Sequence, residues 1–150
     1  MGWISKLRRK DRGASLVEFA FVLPFLLLLV LGIIEFGFIL GLNNDVRHGA
    51  REGARLAAVN GGSNGAIHSY VCESMEPLAG SGFSTLRMQL GDGGGDIGDT
   101  GSLIVEGDVD SLTGFMDVFL PNTLRSAIDF RLEQDASNWS SDGSLVTVSC

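Results

Sequence analysis

Residues 8–42 read RRKDRGASLVEFAFVLPFLLLLVLGIIEFGFILGL. A short basic segment leads into a long apolar one, and one acid, Glu18, stands near the mouth of the apolar run. From Phe19 to Ile34 there is no charge, and apolar character resumes after Glu35 as far as Leu42. As one helix, residues 14–42 span roughly 43 Å, enough to cross a bilayer core with some tilt. A soluble core helix this apolar needs a larger protein around it than 150 residues supply. The stretch therefore reads as a transmembrane helix in contact with lipid.

Charge is distributed unevenly about that helix. Lys6, Arg8, Arg9, Lys10 and Arg12 against Asp11 give residues 1–13 a charge of +4, so the remainder carries −11 of the net −7. The basic end is the cytoplasmic end, which puts the acidic part outside. The acidic balance of that part argues against nucleic acid as a partner, because phosphate binding needs clustered Lys and Arg. A cleaved secretory signal is also disfavoured, because the apolar run is too long and NNDVRHGAR after Leu42 lacks a small-residue cleavage site.

The basic segment ends in Gly13-Ala14, and Glu18-Phe19 follow at positions five and six counted from Ala14. RRKDRGASLVEF resembles the leader-peptidase site of type IV pilin-like proteins. That resemblance implies a prepilin peptidase cutting after Gly13 on the cytoplasmic side, with Ala14 as the new N-terminus. It also implies that Glu18 pairs with the N-terminal amine of a neighbouring subunit. The physical reading agrees in kind: a carboxylate near a bilayer centre costs on the order of 3 kcal/mol and needs a purpose, and the first helical turn favours an acid. Pro24 lacks an amide donor, so a kink or local loosening is expected there. Glu35 is expected at the outer interface or against a partner helix.

Helical periodicity continues past the membrane. Val46, Ala50, Ala54, Ala57 and Ala58 recur at helical spacing, with Arg47, Arg51 and Arg55 as a second stripe and Glu52 placed to pair with Arg55 and His48. Asn60-Gly61-Gly62 supplies a stop, so one helix is expected from about Ala14 to Val59. Gly37/Gly41 and Gly49/Gly53 are G-x-x-x-G pairs, a small-residue row that lets helices approach closely. GAREGARLAAV, residues 49–59, together with ASLVEFAFVLPFLLLLVLGIIEFG, resembles TadE-like proteins of the tight-adherence (Tad/Flp) pilus system. For those proteins the resemblance implies a minor pilin or pseudopilin, with other pilin subunits and an inner-membrane assembly platform as partners. It implies a peptidase substrate that is not itself an enzyme, needing no cofactor. The rival reading is a signal-anchored surface domain that binds or catalyses alone.

Beyond the glycines, residues 66–75 suggest a short helix ended by Pro77, with Ile67, Tyr70, Val71 and Met75 on one face. Leu86, Met88 and Leu90 alternate with Arg87 and Gln89 as a half-buried strand, and residues 103–109, 124–133 and 144–150 are further strands. The expected fold class is α+β: a leader (1–13), a transmembrane helix (14–42), a helical stem (43–60), and an outer domain (61–150) with a small antiparallel sheet and a short helix. Residues 91–101 read as a solvated glycine- and Asp-rich loop. Its Asp92, Asp96 and Asp99 lack the spacing of a calcium loop, and His48 and His68 lack zinc-ligand spacing, so no metal site is expected. Cys72 and Cys150 both fall beyond the membrane, where a disulfide between them is permitted; in a reducing compartment they would be two small buried residues.

Overall fold

In the computed structural model, the described residues are 4–60, 64–75, 82–114, 121–136, 139 and 145–148, with side-chain surroundings described from Gly13 onward, except at Asn60. Two helices and four strands follow in order: α1 (Ile4–Asn60), α2 (Asn64–Met75), β1 (Phe83–Gly91), β2 (Thr100–Val109), β3 (Thr123–Arg131) and β4 (Val146–Val148). The fold is α+β, a long apolar N-terminal helix followed by a short helix and a small antiparallel sheet. Pro77 and Cys150 lie outside the described residues. Contacts divide the chain into two units, Met1–Gly37 and Phe38–Cys150.

The second unit takes the stem into its core. Ile39, Leu42, Val46, Ala50, Ala54 and Ala57 follow one another at steps of three and four, so they share one helical face, and all are buried. That face meets Ile67, Val71 and Met75 of α2, and Leu86, Met88, Leu90, Leu103, Val105 and Leu124 from the sheet. Each fully buried Leu, Ile or Val in this layer contributes about 1.5–3 kcal/mol. Residues 39–57 are thus a wall of this unit, and they include Val46, Ala50, Ala54 and Ala57 of the stripe that periodicity marks, while Ala58 is half-buried.

The sheet order is β3-β2-β1-β4, antiparallel throughout. Leu86, Met88 and Leu90 turn inward from β1 while Arg87 and Gln89 are half-buried on the other face, as their alternation requires. Among the described residues β4 pairs Val146, Thr147 and Val148 with Met88, Arg87 and Leu86; of the expected strand 144–150, residues 144, 149 and 150 lie outside the described residues. The outer face carries an ionic and hydrogen-bonded row. Arg87 Nη2 donates to both carboxylate oxygens of Asp108, at 2.7 and 2.9 Å, and the Thr123 hydroxyl donates to the same carboxylate at 3.0 Å. Arg125 lies 3.2 Å from the buried Glu106.

Residues 92–99 form a folded turn. The Gly95 amide donates to the Asp92 carbonyl and the Asp99 amide to that of Asp96. Gly93 has φ +62, and a β-carbon there would overlap the Thr100 carbonyl oxygen, so glycine is required. The chain after β3 then closes over this turn. Leu132 exchanges backbone hydrogen bonds with Gly98 and Asp99, Glu133 donates to Ala58 and Ala136 to Gly95.

Candidate assembly helix and its surroundings

α1 runs without interruption from Ile4 to Asn60, so the Gly13–Ala14 bond and Pro24 both lie inside it. Gly13, Ala14 and Glu18 are exposed, and a β-carbon at Gly13 would meet nothing within 4 Å. Glu18 sits four residues after Ala14, one turn along the same side of the helix. Beyond it, Leu16, Val17, Phe19, Phe21, Phe25, Leu29 and Ile33 are each more than half exposed. An apolar surface of this length on every side of a helix is what lipid or other apolar helices cover. Among the described residues one helical segment, Gly13–Val59, is long and apolar enough to cross a membrane. Pro24 leaves the Ala20 carbonyl without its usual amide partner, and the helix continues through it.

The glycine row divides into two parts. A β-carbon at Gly37 would meet nothing within 4 Å, and Gly41 is half-buried. Gly49 and Gly53 face α2, where β-carbons would overlap Met75 and Val71, and Leu103 Cδ2 lies 2.8 Å from the second position. These two glycines therefore seat a helix of the same chain. Glu52 lies 3.5 Å from Arg55, as the sequence suggests, in a surface pair 78% exposed on the arginine side and worth little. Glu35 is 1% exposed, a buried acid on the helix.

Cys72, half-buried on α2, is disulfide-bonded. It lines a groove with His68 and Val146–Val148, which brings α2 beside the short strand β4. Among the described residues His68 Nε2 has no hydrogen-bond partner, and burial pushes the imidazole pKa below its ordinary value of 6.5. Neither this groove nor the pairing of Arg87 with Asp108 was marked by the sequence. The only available signal for the latter was an arginine on the polar phase of β1.

The molecule so described is an α+β protein whose exposed apolar N-terminal helix fits a membrane anchor. Over that helix and most of the stem, residues 13–55, the chain matches the family described as TadE-like protein. The similarity is that of a TadE-like Tad pilus protein, over less than a third of the chain. No curated protein and no solved structure matches it.

Proposed function

We propose that this chain is a TadE-like pseudopilin, or minor pilin, that acts in assembly of an adhesive Tad/Flp pilus. The observation that carries the reading is the register of Gly13, Ala14 and Glu18 at the mouth of an exposed apolar helix, within the segment similar to TadE-like proteins. A prepilin peptidase on the cytoplasmic side removes residues 1–13. Glycine is the weakest helix former after proline, by about 1 kcal/mol against alanine, so Gly13 weakens the helix locally at the scissile bond. Cleavage frees an ammonium at Ala14, and Glu18 of a neighbouring subunit neutralises it within the apolar layer. The protein stands in the cytoplasmic membrane with the Phe38–Cys150 unit outside, in contact with lipid, other pilin subunits and the assembly platform. Gly37 and Gly41 provide the close-approach surface toward other helices, since Gly49 and Gly53 already receive α2. Cys72 pairs with Cys150, the only other cysteine of the chain, and this holds the C-terminal strand.

Intact-mass analysis of the protein from producing cells tests the reading. A mature chain beginning at Ala14 supports it. A chain retaining Met1 while pili assemble would overturn it in favour of a signal-anchored surface domain.

A further inference from the structure

We propose that β3 is a docking edge for β3 of a second copy, paired antiparallel about a two-fold axis at Ala127. β3 ends the sheet, and β2 pairs with it along its whole length without a register shift. The direction of its backbone groups follows from its two ends. The Asn122 carbonyl accepts from Val109, and the Leu132 amide donates to Asp99, so even-numbered residues turn their N–H and C=O toward β2. Thr123, Arg125, Ala127, Asp129 and Arg131 therefore turn theirs away from the sheet, and among the described residues no backbone bond reaches them. All five are exposed. An exposed edge of this length is a template for another strand.

Charge selects both the partner and the register. Ala127 is the midpoint of Thr123–Arg131. A two-fold axis there pairs every outward residue, placing Arg125 opposite Asp129 twice and Thr123 opposite Arg131. Centring on Arg125, Ile128 or Asp129 sets like charges face to face, and centring on Ser126 brings no opposite charges together. The Ala127 register alone gives full overlap with charge complementarity, worth about 0.2–1 kcal/mol per cross-strand pair. Asp129 has no ion-pair partner among the described residues, while Arg125 already leans on Glu106 at 3.2 Å. On the other face the half-buried Ile128 and Phe130 would meet Ser126 and Leu124 of the second copy. This is an isologous contact, each copy presenting the same strand.

Gly82 lies against Leu42, and Glu133 donates to Ala58, so residues 42–58 run in the same direction as β3. The two-fold axis, perpendicular to the sheet, sets these helical segments of the two copies antiparallel.

The test uses the full chain in detergent micelles at about 10–100 µM, the range suited to an interface below roughly 1,000 Å². Sedimentation should show a monomer–dimer equilibrium, and Asp129→Arg, which sets Arg125 against a like charge, should weaken it at least about tenfold. Ala127→Pro removes only an outward N–H and should do the same without lowering Tm by more than a few degrees. If it unfolds the domain, Asp129→Arg still decides. A short bis-maleimide should cross-link Ala127→Cys but not Asp110→Cys. Dimers that survive Asp129→Arg, or no dimer and no cross-link at residue 127, would overturn the pairing.

Discussion

Gly53 of α1 and Val71 of α2 are packed so closely that a β-carbon at residue 53 would overlap the valine's Cγ2. The contact joins two helices of one chain at a position where the sequence shows only a small residue in a row of small residues. Val71, Ala54 and Leu103 are all buried around this contact.

Gly53→Ala should therefore destabilise the Phe38–Cys150 unit by about 1–3 kcal/mol through overpacking, despite the helix propensity gained. Gly37→Ala, at a site with open space, should be neutral or stabilise the helix by up to about 1 kcal/mol. Urea titration followed by Trp139 fluorescence checks both.

Asp108 accepts two bonds from Arg87 and one from Thr123 on the outer face. Asp108→Ala should cost about 1–2 kcal/mol, a figure reduced because both charged side chains are about one-third exposed. Asp108→Asn should recover part of that loss, since an amide still accepts hydrogen bonds. The readout is the denaturation midpoint at constant slope.

His68 supplies a pH dependence with a defined sign. Burial holds its pKa below 6.5 in the folded chain, so between the two values the unfolded state binds the extra proton. Its contribution is complete above about pH 6.5 and is lost as pH falls through the folded value. Tm should fall as pH drops from 7.5 to 5.5, and His68→Gln should flatten that slope. An unchanged slope in the variant would mean another group carries it.

β4 pairs over three residues and leaves Val146 and Thr147 exposed, so its own burial cannot hold it. A disulfide from Cys72 to Cys150 would tether it. Non-reducing peptide mapping should link the two peptides. Reduction should cost about 2–4 kcal/mol, and hydrogen exchange should speed up first at Leu86 and Met88, the β1 residues that face β4.

Glu18 is exposed and four residues from Ala14, and it does not belong to the Phe38–Cys150 unit. Glu18→Ala should leave the melting of that unit unchanged while reducing the protein recovered with sheared pili at least tenfold, as counted by immunoblot. Assembly at wild-type level in this variant would remove the proposed pairing with the Ala14 amine.

Much of the anchor and the element types were legible in the chain itself. Sixteen uncharged residues from Phe19 to Ile34, three-and-four spacing from Val46 to Ala57, and alternation through Leu86, Met88 and Leu90 are local patterns. Each states which side of a helix or strand is apolar, because burial acts on a face whose period the backbone fixes. The Gly13, Ala14 and Glu18 register is likewise a matter of spacing along one segment. Partners are a different matter. That Gly49 and Gly53 receive α2, that the turn at residues 92–99 is closed by Leu132 and Ala136, and that Asp108 holds both Arg87 and Thr123 depend on strand order and register across tens of residues. A periodic pattern says that a face will be covered; only the packed tertiary structure decides what covers it, because steric fit and charge pairing act between residues that the sequence keeps apart.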